Sequence, residues 1–333
     1  MDVIPQIAFV YFISPVLIFL VLREAIFYFG VKRFFNLIID MGIFASFSII
    51  AFYFIFFNFG SEYLQIFIAE PNIDVSNGIP RVNMHVMGSL IFIYGGFFSF
   101  PAIVENFKKR IFVFFLFSVV GILSGRSALI LAILIGMAGG LFLQAFYYKN
   151  IKVVGYIFNI FIFGIGFVFA ISFFGIDLLN VASDLVEKIS SSGGDERRDQ
   201  AIALWNGVVD NFFLGAGHGV GVSLVRNEEY PWRYEILWLA TVYRVGLIGA
   251  VVYCWPFIFT FFIYIHLFFK KKCLKYDHFI MMGFISIFIA GFTNPYFESF
   301  EFQWMYVLPF VYFLIRKNNL KLNEYFDERG CAQ

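Results

Sequence analysis

The sequence predicts an all-α integral membrane protein with about nine or more transmembrane helices and one large external helical loop. The first observation is composition: of 333 residues, 61% are hydrophobic and 14% charged, with a mean hydropathy of +0.82. Soluble domains are about half apolar and about a quarter charged, so this chain has too few polar residues to cover an aqueous surface. A soluble enzyme, a nucleic-acid-binding protein and a disordered chain are therefore excluded.

The second observation is a series of apolar runs of bilayer length. About 20 helical residues, each rising about 1.5 Å, cross a hydrocarbon core about 30 Å thick. The run at 236–268 is too long for one upright helix and contains Arg244, so we expect an interfacial segment followed by a true span. The first run lacks a basic segment and a small-residue cleavage site, which favours a retained helix over a signal peptide. The runs lie at about 5–22, 36–58, 84–103, 111–124, 127–147, 153–175, 236–268, 279–292 and 303–315.

The third observation is the distribution of basic residues. With the N-terminus outside, sixteen of the 24 lysines and arginines fall in cytoplasmic segments, including eleven of the twelve lysines. Short-loop Lys/Arg bias sets orientation, so we expect an external N-terminus and a cytoplasmic C-terminus. The external arginines either pair with nearby carboxylates or use their planar, permanently charged forks to bind phosphate. They are Arg81, Arg126, Arg197, Arg198, Arg226, Arg233 and Arg244.

We expect a single polytopic domain over 1–333, with most loops short and one large external loop at 176–235. Apolar residues recur at three-to-four spacing in part of this loop, as in a helix lying on a membrane. Arg81 ends the only other sizeable external loop, 59–83. The predicted segments of the large loop are an amphipathic helix at 176–189, a Ser/Gly hinge at 190–194, a second amphipathic helix at 199–213, a glycine-rich turn at 215–221 and a helix from Pro231 that carries Arg233, Glu235 and Arg244.

Two candidate site residues lie in short polar segments. Arg126 stands between two apolar helices in Ser-Gly-Arg-Ser at 124–127. A charge there is costly unless it is solvated or paired, so it either snorkels to the interface or clamps an anion in a cavity. His218 lies in the glycine-rich turn, which follows no β-strand and therefore does not match a dinucleotide fingerprint. This histidine is either a polar loop residue or a ligand or acid–base group.

Glu235 is the candidate general base. It begins a strongly apolar run, where burial raises the pKa of a carboxylate and a nearby arginine lowers it, and a group tuned in this way suits base catalysis. The alternative is a helix-capping salt bridge with Arg233 or Arg226. On a continuous helix Glu235 and Arg244 point to opposite faces, so both reach one ligand only if the helix breaks near Gly246.

Several common catalytic patterns are missing from the sequence. It has no Asp-x-Asp pair, Walker loop, zinc-type His/Cys spacing or Ser-His-Asp set, and its three cysteines have no metal or redox spacing. We therefore expect no metal and no cofactor, with arginine supplying the positive charge. A phosphorylated substrate outside the membrane is not cytosolic ATP, and a lipid diphosphate in the bilayer fits that location.

Three motifs together resemble the bacterial O-antigen polymerase and O-antigen ligase superfamily over roughly 80–320. The order, external placement and separation of the motifs carry the resemblance. They are Ser-Gly-Arg-Ser at 124–127, Arg197 and Arg198 followed by the Trp205 helix and Leu-Gly-Ala-Gly at 214–217, and Glu235-Ile-Leu-Trp-Leu running into Arg244-Val-Gly-Leu-Ile-Gly, with Thr-Asn-Pro at 293–295 near the end.

The resemblance implies a metal-independent glycosyltransferase of the GT-C type in the bacterial inner membrane. Its substrates would be undecaprenyl-diphosphate-linked oligosaccharides, with a chain-length regulator and an O-antigen flippase as partners. In the ligase branch the helix after the large loop starts with His-Asn; Glu235 stands at that His position and favours the polymerase branch. Ligation to lipid A-core and a lipid-linked oligosaccharide transporter remain alternatives.

By this resemblance each catalytic and binding residue has a role. Glu235 takes the proton of the attacking sugar hydroxyl. Arg126 with Arg197 or Arg198 holds the diphosphate. The further candidates for substrate binding are Arg233, Arg244, Arg81 and His218.

Overall fold

A computed structural model describes most of the chain as helix. The described residues are 3–64, 73–76, 79–82, 86–124, 126–148, 164, 194–224, 232–292 and 294–318. They fall into two compact units. The first unit comprises Met1–Val31, Asp184–Lys270 and Ile287–Gln333, and the second comprises Lys32–Ser183 and Lys271–Ser286. The single polytopic domain over 1–333 stays a prediction.

The helices and strands follow one another with short connections. A π-helical turn, Phe9–Ile13, joins the first two helices, and short 3₁₀ turns precede the last helix. In chain order the elements are α1 (Val3–Ala8), α2 (Ser14–Phe29), α3 (Val31–Phe59), α4 (Ser61–Leu64), β1 (Ile73–Ser76), β2 (Ile79–Val82), α5 (Val86–Ser99), α6 (Phe107–Leu123), α7 (Ser127–Phe142), α8 (Gly194–Asp210), α9 (Leu237–Phe269), α10 (Lys275–Ala290) and α11 (Trp304–Asn318).

Four helical stretches in the described part of the chain are long and apolar enough to cross a membrane. They are Pro5–Phe29, Val31–Phe59, Ser127–Tyr148 and Leu237–Phe269. The shorter α5 is also apolar. The chain is thus a helical membrane protein, as its composition predicts, and the number of nine spans stays a prediction. Each predicted span overlaps a helix except 153–175, which lies outside the described residues apart from Gly164.

In the second unit, small residues bring the helices close together. A side chain at Gly95 would meet Ser286 Oγ at 2.1 Å, and one at Gly136 would meet the carbonyl oxygen of Gly95 at 2.7 Å. Close backbone approach through small residues is the usual packing of helices in lipid, where the hydrophobic effect does not drive association. These glycines explain how α5 packs against both α7 and α10.

In the first unit, the π-helical turn holds α2 against α11. Gln303 is fully buried, and its Nε2 donates to the carbonyl oxygens of Val10 (2.8 Å) and Phe297 (3.0 Å). The Ser14 hydroxyl donates to Gln303 Oε1. Gln303 thus binds a backbone carbonyl of the π-helical turn, and Tyr11 of the same turn belongs to the site described below.

One sequence prediction about secondary structure is wrong. The helix expected from Pro231 begins only at Leu237, so Arg233 and Glu235 precede it. The all-α class is confirmed, and the described residues add one short antiparallel hairpin, in which Asp74 pairs with Arg81.

Two predictions within the large loop are confirmed. The second amphipathic helix is present as α8, although it starts at Gly194 instead of 199. Residues 211–222 form the predicted non-helical, glycine-rich segment. The amphipathic helix at 176–189 lies outside the described residues.

Candidate functional site

A glycine-rich loop docks onto a break in α9 in the first unit. Gly246 has a φ of 72° and ψ of 177°, which interrupts the helix. The loop Phe213–Gly217 supplies partners for backbone groups that the interruption frees, and we call this contact the loop–helix clasp. Its backbone hydrogen bonds, 2.8 to 3.0 Å long, run from Ala216 N–H to Tyr243 O, from Gly217 N–H to Arg244 O and from Leu247 N–H to Phe213 O.

The clasp requires glycine at its two points of closest approach. A Cβ at Gly215 would lie 2.5 Å from the backbone nitrogen of Gly246, and one at Gly246 would lie 2.6 Å from the carbonyl oxygen of Leu214. Both glycines also have positive φ, which L side chains rarely adopt. The glycine-rich turn at 215–221 and the Arg-Val-Gly motif at 244–246 therefore form one structural feature.

Gly246→Ala should destabilise the protein by about 2–5 kcal/mol. A left-handed backbone costs a residue with a Cβ about 1–2 kcal/mol, and forcing an atom into packed surroundings adds about 1–3 kcal/mol. Gly217→Ala is the matched control, because Gly217 has a φ of 95° but nothing within 4 Å of its Cβ position. Thermal unfolding in detergent measures both. Equal losses for the two variants would show that the contact with the loop contributes nothing.

The side chain of Arg244, whose carbonyl oxygen takes part in the loop–helix clasp, forms a buried ion pair with Glu298. Arg244 is 2% exposed and Glu298 is 4% exposed. Arg244 Nη1 donates to Glu298 Oε1 and to the Tyr11 hydroxyl (2.8 Å), which in turn donates to Glu298 Oε1 at 3.1 Å. Arg244 Nη2 donates to the carbonyl oxygen of Trp232. We call these four residues the Arg244 cluster; their bonds engage both terminal nitrogens of the guanidinium group.

His218 adjoins the Arg244 cluster. Its ring lies 4.4 Å from the Tyr11 ring, centroid to centroid, and its Nε2 is 3.0 Å from the Tyr253 hydroxyl. Burial and then the positive charge of Arg244 lower the pKa of His218, while Glu298 raises it. Burial and the charge of Arg244 therefore favour the neutral form of the imidazole. Its buried Nδ1 has no hydrogen-bond partner among the described residues.

Glu235 forms a second, more accessible group with α8. Arg197 Nε donates to Glu235 Oε2 at 2.6 Å, and the side chains are 40% and 16% exposed. Buried Gln200 accepts the backbone N–H of Glu235 at its Oε1 (3.1 Å). Gln200 Nε2 is buried without a partner in the part of the chain that the structure describes. We call Arg197, Gln200 and Glu235 the Glu235 group.

The remaining predicted residues take separate positions. Arg126 belongs to the second unit and immediately precedes α7, with its backbone N–H donating to Ser124 Oγ at 3.3 Å. Arg198 is exposed on α8, and Arg233 is partly buried beside Glu298 at a small cavity. Arg81 lies on β2. The structure thus brings Arg197 to Glu235 and Arg244 to His218, and the binding roles of the others stay predictions.

Sequence reasoning missed three side chains of these groups, and also Trp232, which contributes only its carbonyl oxygen. Glu298 had one available signal, because it is one of two carboxylates in the aromatic-rich segment 296–302, where an ionisable group needs a partner. Tyr11 and Gln200 had none, since a tyrosine or glutamine in a helix is unremarkable until its neighbours are known. Among the described residues no three His, Cys, Asp or Glu side chains come together as a metal site.

A comparison with known protein families, curated proteins and solved structures finds no match to this chain.

Proposed function

We propose that the protein is an O-antigen polymerase, a metal-independent glycosyltransferase of the GT-C type. In this proposal it lies in a bacterial inner membrane with about nine or more spans, an external N-terminus and a cytoplasmic C-terminus. It transfers the growing chain from undecaprenyl diphosphate onto a new lipid-linked repeat unit at the periplasmic face. Its partners are a chain-length regulator and an O-antigen flippase.

The observation that carries the proposal is the ion pair of Glu235 with Arg197. A general base must lie beside its substrate, and a diphosphate leaving group needs a cation. The two stand 2.6 Å apart and both are partly exposed, so an incoming diphosphate can take Arg197 away from Glu235. Substrate binding itself would then remove the Arg197 cation from Oε2 of Glu235, which makes the carboxylate a stronger proton acceptor.

Side chains of this protein can supply the proton acceptor and the cation that the transfer reaction needs. The bond between the anomeric carbon of the donor and the diphosphate oxygen breaks, and its electron pair leaves with the lipid diphosphate. The acceptor hydroxyl oxygen forms the new bond to that carbon, and its proton passes to the Glu235 carboxylate. Arg197 stabilises the charge that develops on the leaving phosphate, where a preorganised cation is most effective.

The glycine motifs support the same proposal. The resemblance to O-antigen polymerases rests partly on Leu-Gly-Ala-Gly at 214–217 and on Arg-Val-Gly at 244–246. These distant motifs meet in the loop–helix clasp. Their separation in the sequence therefore matches a structural requirement of this chain.

Deletion of the gene tests the function. We expect the deletion strain to make lipopolysaccharide with a single repeat unit and the wild-type gene on a plasmid to restore the ladder of longer chains, seen on gels. Loss of all O-antigen from lipid A-core, with polymer retained on its lipid carrier, would instead show a ligase. A ladder unchanged by deletion would refute the proposal.

A further inference from the structure

The first unit contains an apolar cavity of about 340 Å³. Helices α2, α9 and α11 contribute its walls. The volume falls within the roughly 300–1,000 Å³ range of small-molecule sites, which are mostly apolar with a few placed polar groups. Two of the contributing helices, α2 and α9, belong to stretches long enough to span a membrane, so a molecule reaching the cavity from the bilayer is a lipid.

The cavity has an aromatic, apolar end and a hydroxyl-bearing end. At one end the rings of Phe19 and Phe310 are 6.0 Å apart, and at the other those of Tyr11 and Tyr253 are 6.2 Å apart. Phe19 lies eight positions after Tyr11 along the helix, which corresponds to a rise of about 12 Å. This is the shape of a site for a hydrocarbon chain that carries a polar head.

The part of the cavity wall between these ends offers few available hydrogen-bonding groups to a polar ligand. The Thr241 hydroxyl donates to the carbonyl oxygen of Leu237 at 2.8 Å, within its own helix. The Tyr306 hydroxyl donates to the carbonyl oxygen of Ile287 at 3.4 Å. The polar atoms of these side chains are thus already bonded, and the surface left to an occupant is chiefly hydrocarbon.

The hydroxyl-bearing end leads to groups that can bind a polar head. Tyr11 belongs to the Arg244 cluster, and Tyr253 bonds His218. The buried Nδ1 of His218 has no partner among the described residues. A hydrocarbon chain in the cavity would therefore end at the hydroxyl groups of Tyr11 and Tyr253, and His218 lies behind them.

We propose that this cavity binds the head-proximal part of the polyprenyl chain of the lipid-linked donor. The inference rests on the proposed function, in which the donor lipid carries a polyprenyl chain. It adds the position of that polyprenyl chain in the protein. The polyprenyl chain follows α2 and α9, and its head-proximal end lies by Tyr11 and Tyr253. A phospholipid acyl chain is the competing occupant.

Cys254 lines the cavity and reports on its occupancy. The full chain with Cys331→Ser is purified in detergent, and methanethiosulfonate labelling of each remaining cysteine is followed by mass spectrometry. The probe is undecaprenyl diphosphate at about ten times its dissociation constant. Labelling of Cys254 should slow about tenfold, because only unoccupied protein reacts. Cys273, in the second unit and not part of the lining, should be unaffected.

Phosphatidylglycerol is the second probe, and it separates the two lipid sources. It should leave Cys254 labelling unchanged. Equal protection by phosphatidylglycerol would overturn the inference in favour of a general lipid site, and no protection by undecaprenyl diphosphate would overturn it outright.

Two neighbouring valines provide matched variants. Val252 lines the cavity, whereas Val251 does not, and both are well exposed, at 63% and 58%. Val252→Trp should weaken binding of undecaprenyl diphosphate at least tenfold, and Val251→Trp should leave it unchanged. Equal binding by both variants would overturn the cavity assignment even if the wild type restores ladders in cells. Failure of the wild type to restore ladders would overturn the proposed function instead.

Discussion

Cells whose only copy carries Glu235→Gln should make lipopolysaccharide with a single repeat unit. Glutamine keeps the size of the side chain but cannot accept the proton of the acceptor hydroxyl, and loss of a general base lowers the rate by about 10²–10⁴-fold. The measurement is the ladder on gels, with protein level in membranes followed by immunoblot. Asp210→Asn removes an exposed carboxylate at the other end of α8 and should leave the ladder intact.

Exchanging the charges distinguishes a catalytic carboxylate from a structural salt bridge. In the double variant Arg197→Glu/Glu235→Arg an ion pair can form again, but the base and the phosphate-binding cation have changed places. Arg197→Ala should fail as well, since removing one charge-stabilising donor costs about 10²–10³-fold. We expect the double variant to accumulate normally and to make no ladder. A restored ladder would mean that the pair only holds α8 to the segment before α9.

The sequence could predict those parts of the site that depend on residues close together in the chain. It could not predict contacts between distant residues. The interruption at Gly246 was foreseeable, because an apolar run of 33 residues with an arginine inside it does not suit one upright helix. The glycine-rich turn was equally visible. Their mutual contact was not, since hydrophobic periodicity says nothing about which turn meets which helix.

The start of α9 shows why the local signal at Pro231 misled. Proline favours the first turn of a helix, but tertiary partners take the backbone groups of 232–236. Gln200 binds the N–H of Glu235, and Arg244 binds the carbonyl oxygen of Trp232. Because these partners are distant in the sequence, Arg233 and Glu235 lie in a non-helical segment and not on the expected helix face.

The Arg244 cluster could not be predicted either, and it changes how Arg244 is interpreted. Its tyrosine is 233 positions away and its glutamate 54. The sequence shows an arginine in an apolar run and suggests phosphate. The structure gives that guanidinium a buried carboxylate, so its positive charge is already neutralised. The exposed Arg197 is the better candidate to meet a diphosphate.

Arg244→Met should therefore lower stability far more than it would at an exposed site. It leaves the Glu298 carboxylate buried without its cation, and breaking a buried pair from one side costs about 3–5 kcal/mol. Thermal unfolding of the purified protein should show a decrease in melting temperature on the order of 10 °C. Arg197→Met is the matched control, because its pair is partly exposed and such pairs contribute up to about 1 kcal/mol.

The double variant Arg244→Met/Glu298→Leu decides what the pair does. Replacing both charges of a buried pair with apolar side chains is often neutral or stabilising, although Tyr11 loses its acceptor here and that loss costs about 1–3 kcal/mol. The double variant should therefore be more stable than Arg244→Met alone. If it is as unstable as the single variant, the cost comes from lost packing around Arg244 and not from an unpaired carboxylate. A stable double variant that still makes no ladder would mean that the charges themselves serve the reaction, beyond holding the loop–helix clasp in place.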